Sequence, residues 1–396
     1  MEILMRPLSP KFKALASLLP VIVLMSACNY VKNINLLTSG SLDREDFVQT
    51  IPFDYKKDLI VVKAKINGRQ EKRQFIFDTG AFDSKIEIGL ADKLNLHTKA
   101  SKTNSTAQGI SQKIEVTQLE SIELGETVFT DISAGKLRYD EHSASQCIAP
   151  HGIIGANLTK LAHWKIDYHN REIQFSDNPV KRSDKEYYSL DFDKPMLSGT
   201  PEIEIKVGGK MVLGVLFDTG YNGGLILPAR LADSFPAPNE RIYFDRSTSG
   251  IFGTNTDTLT SKQLEVSIGG YAINIPVAFS SIGKALLGND ILEHFEVFID
   301  YDQNRIELHP VENVQVDSPY AFIPGILNDS LWVVNRTSAK LPFSLGDTLQ
   351  SINGKKPADL YNSFCDYFLN INKLLDTGSL SITAKNGTAI KLNAQN

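Results

Sequence analysis

The stretch FIFDTGAF, residues 75–82, runs an apolar strand into a carboxylate and then turns on a glycine. The same design returns in VLFDTGYN, residues 215–222. A third Asp-Thr-Gly begins at Asp376, but it follows ADLYNSFCDYFLNINKLL, which reads as an amphipathic helix. That copy lacks a preceding strand pair and reads as a turn before a final strand.

The first two copies sit inside a long internal repeat. AKINGRQEKRQFIFDTGAFDSKIEIGLADKLNL aligns with IKVGGKMVLGVLFDTGYNGGLILPARLADSF. Each segment has a strand-like run, an Asn-Gly or Gly-Gly turn, a second apolar run into Asp-Thr-Gly, and a short helix candidate containing Leu-Ala-Asp. Further on, HGIIGANLTKLAHWKIDYHNREIQF matches ALLGNDILEHFEVFIDYDQNRIEL, each with two apolar residues, a glycine, a short helix and Ile-Asp-Tyr. Asp78 to Asp218 is 140 residues, whereas Gly155 to Gly288 and Asp167 to Asp300 are each 133. One duplication with a loop longer by seven residues in the first copy, within RYDEHSASQCIAPHG, accounts for both spacings. Strand patterns dominate, so each copy is expected to be a small β-domain. The charged stretch SDNPVKRSDKEYYSLDF is expected to connect them.

Two such lobes resemble the aspartic peptidases of the pepsin and retropepsin type. A random Asp-Thr-Gly is expected in roughly one chain of this length in ten, so two copies in matched repeats are hard to obtain by chance. The resemblance covers about residues 51–312. It implies a mainly β fold of two retropepsin-like lobes, 51–177 and 186–312, related by internal duplication. It further implies a catalytic dyad of Asp78 and Asp218 acting on a peptide or protein substrate without cofactor or metal. Two carboxylates facing each other across a two-fold axis cannot both ionise easily, so the pair offers a base and an acid together. Thr79, Gly80, Thr219 and Gly220 would support the two loops, the threonines by hydrogen bonding across the axis. Flap candidates are TAQGISQKIEV around Gly109 and RSTSGIFGTNTDTL around Gly250 and Gly253; plain hairpin turns are the alternative for each. Ala81 and Tyr221 stand where pepsins usually carry a hydroxyl. That loss favours the protonated aspartates and an optimum in the mildly acidic to neutral range.

Arg6, Lys11 and Lys13 precede the apolar run ALASLLPVIVL and then MSAC, ending at Cys28. This resembles a bacterial lipoprotein signal and implies a signal peptide at 1–27, acylation of Cys28, a lipidated tether over 28–50, and a chain held at the cell envelope. The outer membrane is favoured if the source is Gram-negative. An ordinary signal peptide is the alternative. Net charge is −5 with no long Lys/Arg run, so a nucleic-acid partner is not indicated. Beyond Cys28, Cys147 and Cys365 lie far apart and are not expected to form a disulfide framework. No Cys/His cluster has zinc-ligand spacing.

After residue 315, LPFSLGDTLQSINGKKPADL resembles bacterial PDZ domains, implying a small α+β PDZ-like domain over 318–396. Such domains bind extended peptide ends by strand addition; a structural cap is the alternative here. The whole chain thus reads as a lipid-anchored aspartic endopeptidase, a monomer with an internal pseudo-dimer. The rivals are an inactive peptide-binding lipoprotein and an enzyme whose lobes pair between chains.

Overall fold

The computed structural model describes residues 34–394 except 107–108, 141–142, 183–184, 196–197, 248, 282, 328–329 and 386. The expected signal peptide and Cys28 lie outside the described residues. The protein is mainly β with short helices, as the strand-rich repeats imply.

Equivalent hairpins open the two copies. In the first, Leu59–Ile66 pairs antiparallel with Arg73–Phe77, and Asn67 and Gly68 turn the chain with φ of 50° and 67°. In the second, Glu202–Val207 pairs with Lys210–Phe217 through Gly208 and Gly209, at φ of 51° and 77°. Positive φ at both central residues matches the right-handed twist of the flanking strands, which explains Asn-Gly and Gly-Gly at these turns. The outgoing strand of each hairpin ends at the aspartate. It is held from the side by a short parallel strand, Gly152–Ile154 in the first copy and Leu286–Leu287 in the second. These short strands are the apolar pairs before Gly155 and Gly288.

A six-stranded antiparallel sheet joins the lobes, in the order Val48–Pro52, Glu172–Ser176, His163–Asp167, Phe295–Asp300, Arg305–Pro310 and Tyr188–Asp193. Its central register carries the duplication. Trp164 faces Ile299 and Ile166 faces Val297, while Lys165 faces Phe298, its own counterpart at an offset of 133 residues. The local two-fold therefore passes between Lys165 and Phe298. Above it, one continuous apolar core runs through both copies and includes Phe77, Trp164, Phe217 and Phe295.

Two expectations about boundaries need correction. The chain is ordered into the fold before residue 51: Ser41–Leu42 pairs with Thr130 and Phe129, and Val48–Pro52 edges the joining sheet. Burial of Phe47 and Ile51 explains why this stretch is more than a tether. Similarly, SDNPVKRSDKEYYSLDF is only partly a connection, because Tyr188–Asp193 is the outer strand of the joining sheet. Its alternating Leu190 and Phe192 are buried beneath an otherwise polar sequence.

The C-terminal segment has its own core of Phe322, Trp332, Val334, Leu349, Ile352, Tyr367 and Leu380. Four strands, Leu331–Ser338, Thr348–Ile352, Leu380–Ala384 and Ala389–Leu392, pair in sequence, with Phe322–Leu327 on the near side. The helix Phe364–Leu375 packs across them and is capped at its start by Ser363, whose hydroxyl accepts from the Asp366 N–H. The third Asp-Thr-Gly falls at the C-terminal end of this helix. Asp376 there accepts a 2.5 Å hydrogen bond from Tyr320, and Gly378 takes φ of 81° before the next strand.

A further correction concerns the cysteines. Cys147 and Cys365 form a disulfide, with Cα atoms 5.1 Å apart. Sequence distance misled here, because the C-terminal segment folds back onto the first lobe and brings its helix against Ala144–Ile148.

Candidate active site

Each Asp-Thr-Gly loop begins where its stem strand ends. The Asp78 N–H donates to Ile154 O at 3.0 Å, and the Asp218 N–H to Leu287 O at 2.9 Å. The two parallel strands thus set the height of the two carboxylates. Two further bonds repeat beside them: Ala156 N–H to Ala81 O at 2.8 Å, and Asn289 N–H to Tyr221 O at 2.9 Å.

The threonines cross the pseudo-axis reciprocally. Thr79 Oγ1 donates to Phe217 O at 2.7 Å, and Thr219 Oγ1 donates to Phe77 O at 2.9 Å. Each hydroxyl also accepts the other threonine's backbone N–H, both at 3.1 Å. Both side chains are wholly buried. Every polar group in this crossing is satisfied by the opposite lobe, so neither loop can shift alone without leaving buried donors and acceptors unpaired.

This crossing brings Asp78 and Asp218 together. A Cβ added to Gly80 would collide with the Asp218 carboxylate, and one added to Gly220 would collide with that of Asp78. The glycines are required by close approach rather than by unusual backbone angles. Asp78 Oδ1 accepts the Ala81 N–H at 2.7 Å, and Asp218 Oδ1 accepts the Gly220 N–H at 2.9 Å. Burial pushes the Asp78 carboxyl above the usual range, opposed by the Ala81 hydrogen bond. Asp218 is pushed well above it, first by burial and then by the charge of Asp78. The titration belongs to the pair.

Around this symmetric centre the lobes diverge. Beside the first loop, buried Asp83 contacts Lys85 at 2.5 Å and Lys102 at 2.7 Å. Burial alone would raise Asp83, but the two lysines outweigh it and hold the carboxyl below its ordinary value. Asn157 braces the same loop, accepting from Ser84 N at 2.8 Å and Ser84 Oγ at 2.9 Å while donating to Ser133 O at 2.8 Å. In the second lobe the equivalent of Asn157 is Asp290. Burial, then Asp58, Glu293 and Asp317, push its carboxyl up to about 7. Tyr221 fills space left by two glycines, since a Cβ on Gly223 or Gly288 would strike its ring. Desolvation raises its phenol above the ordinary value.

Both flap candidates are hairpins. Gly109 sits at φ 75° in a turn where the Thr106 N–H donates to Ile110 O at 2.9 Å. Gly250 and Gly253 face each other in a two-stranded ribbon whose tip is Ile251 and Phe252. That tip reaches the first lobe: Phe252, only 8% exposed, packs among Ile110, Ile114, Leu137 and Tyr139. The two hairpins therefore share one apolar cluster, to which both Ile110 and Phe252 belong.

In the C-terminal domain, Leu331–Ser338 is an inner strand with both edges paired. Phe322–Leu327 pairs along one side; Thr348–Ile352 and the second-lobe strand Glu240–Asp245 take the other. Two surface pockets lie elsewhere, one at Ile66–Leu94 and one between Glu240–Tyr243 and Ser338–Lys340, so concavity is a poorer guide here than carboxylate chemistry. Among the described residues, no group of three His, Cys, Asp or Glu side chains could hold a metal ion. No helix among them is long and apolar enough to cross a membrane.

Residues missed from sequence include the pair Cys147 and Cys365, the Asp83 ion cluster and the buried Arg336–Asp245 contact. The cysteines carried a usable signal: with Cys28 set aside, an even number remained in a chain expected to be secreted. Asp83 with Lys85 was a weaker one, and Lys102 had none.

Residues 62–158 match a family model described as aspartyl protease. The matched segment contains Asp78, Thr79, Gly80 and Gly155, ends before the second loop, and supports a hydrolase of the peptidase type. A search of curated proteins found no match.

Proposed function

We propose that the protein is an aspartic endopeptidase in which Asp78 and Asp218 share one proton and one water. The observation that carries this reading is the reciprocal bonding of Thr79 and Thr219, which sets two aspartates from separate lobes against each other. The ionised carboxylate takes a proton from the water as its oxygen attacks the scissile carbonyl carbon. The protonated carboxyl gives its proton to the carbonyl oxygen, forming a tetrahedral diol. The carboxyl that took the water proton then gives it to the amide nitrogen as the C–N bond breaks, while a diol hydroxyl returns its proton to the other carboxylate. Burial of the pair supports function in mildly acidic to neutral solution, because raised values move the singly protonated state to higher pH.

The lipid anchor on Cys28 and a cell-envelope location belong to the same proposal. A disulfide between Cys147 and Cys365 agrees with an oxidising compartment. The C-terminal domain is read as a structural element, since its strand Leu331–Ser338 pairs with the second-lobe strand Glu240–Asp245 and its helix is disulfide-bonded to the first lobe. The test is peptide cleavage across pH 3 to 8 by the soluble form beginning at Asn29, beside Asp78→Asn and Asp218→Asn. Cleavage by the parent with near-complete loss in each variant is expected. A folded, monomeric parent that cleaves nothing in a diverse peptide library would instead favour a peptide-binding lipoprotein.

A further inference from the structure

We infer that the C-terminal domain positions the second flap, gripping it at the base and at the landing site of its tip; as a statement about catalysis this rests on the peptidase reading.

The base is held by a strand of the C-terminal domain. Leu331–Ser338 pairs with Glu240–Asp245, with Tyr243 opposite Ser338 and Asp245 opposite Arg336. The Arg246 N–H, the first after that strand, donates to Asn335 O at 2.8 Å. Arg336 Nε meets Asp245 Oδ1 at 2.8 Å, and Asp245 is 1% exposed. The same Oδ1 accepts the Ser247 N–H at 3.1 Å and its hydroxyl at 2.5 Å, where the chain leaves for the flap. Arg336 thus neutralises a buried carboxylate that directs the outgoing limb. Without the guanidinium this buried carboxylate would lose the cation that neutralises it.

The tip lands on ground held by the helix of the same domain. Ile251 packs against a cluster of Leu59, Val61, Ile76, Ile148, Ala149 and Ile153, which also receives Ala81 and Phe368. Ala81 is the residue whose N–H bonds to Asp78, and Phe368 belongs to the helix Phe364–Leu375. The strand Ser249–Gly250 lies against the short helix Ala144–Ile148. The disulfide fastens that helix to the C-terminal helix. A second tie lies alongside, from Lys57 Nζ to Asn372 Oδ1 at 2.8 Å, with the ammonium 5.7 Å from the centre of the Phe368 ring.

One domain therefore fixes both ends of a hairpin that belongs to neither its sequence segment nor its core. Cys147, Cys365, Phe368 and Arg336 are positioning residues on this reading. Each acts through the flap and none touches the reacting atoms.

Hydrogen exchange over residues 250–254 tests it, in the intact protein, in Cys147→Ser/Cys365→Ser, and in Phe368→Ala, which keeps the disulfide. Exchange at the flap should quicken about tenfold in the double variant and less in Phe368→Ala, while the stem strand Arg73–Phe77 stays protected. Peptide cleavage should weaken about fivefold through KM, with kcat and the pH profile little changed. Equal flap exchange in all three proteins overturns the inference. If the double variant does not fold, Phe368→Ala decides alone, and unchanged exchange there overturns the inference. Faster flap exchange in a protein that cleaves no peptide leaves the positioning role standing and removes the peptidase reading.

Discussion

The two Asp-Thr-Gly loops are nearly interchangeable, yet the residues one step outside them are not. Thr79 and Thr219 make the same bonds to each other's lobes, and Gly80 and Gly220 each press on the opposite carboxylate. Immediately beyond, the first lobe carries a buried ion cluster and a satisfied Asn157. The second carries Tyr221 over glycines and an Asp290 that resists ionisation. Symmetry is strict where two groups must face each other across an axis. It lapses where each lobe need only support its own loop.

The largest break in that comparison comes from the carboxylates. Asp78→Asn and Asp218→Asn should each lower kcat by at least about a thousandfold, equally in both lobes, and the double variant should be little worse. A variant that kept more than a tenth of the activity would show that the lobes do not share one dyad.

Next come the threonines. Thr79→Val and Thr219→Val each leave a carbonyl and an N–H of the opposite lobe unpaired in a buried site. Denaturant unfolding should show a loss of about 3 kcal/mol for either, with the pair together costing less than the sum. Unequal losses would place the crossing off the axis.

Asp290 and its counterpart Asn157 sharpen the difference between lobes. Burial and the neighbouring carboxylates push Asp290 in the fold up to about 7 from its ordinary value of 3.8. Well below pH 3.8 both states are protonated and nothing is lost. Between pH 4 and 7 the unfolded chain ionises first, so stability falls as pH rises and then levels off. Asp290→Asn should therefore stabilise the protein by about 2 kcal/mol at pH 8 and hardly at all at pH 4. The reverse exchange, Asn157→Asp, should destabilise with the opposite pH profile. An Asp290→Asn gain that persists at pH 4 would point to packing instead of charge.

Smallest is the effect at Tyr221. Replacing it by threonine restores a short hydroxyl beside Asp218 and should move the acid limb of the kcat profile down by less than about one pH unit. An acid limb already near pH 2 in the parent would contradict the raised dyad.

Much of this is legible in the sequence. Equal offsets of 133 residues at Gly155/Gly288 and Asp167/Asp300 already marked the duplication that the joining sheet carries. Asn67-Gly68 and Gly208-Gly209 announced the stem hairpins through local backbone chemistry. The features that escaped depend on distant segments meeting. The bond between Cys147 and Cys365, the contact of Lys102 with Asp83, and the pairing of Arg336 with Asp245 leave no periodic trace. Tyr188–Asp193 escaped for another reason, since an edge strand buried on one face alternates with charged residues and reads like a connection.

The bond between Cys147 and Cys365 also changes the connectivity of the chain. Residues 186–312, the whole second copy of the repeat, lie inside a covalent ring closed by that bond. A ring of this size removes on the order of 5 kcal/mol of chain entropy from the unfolded state. It cannot close until Cys365 has been synthesised, 218 residues after Cys147. One cut within the ring would also leave a single covalent species. The halves would part only on reduction, each then bearing one aspartate of the pair if the cut fell between Cys147 and Asp218.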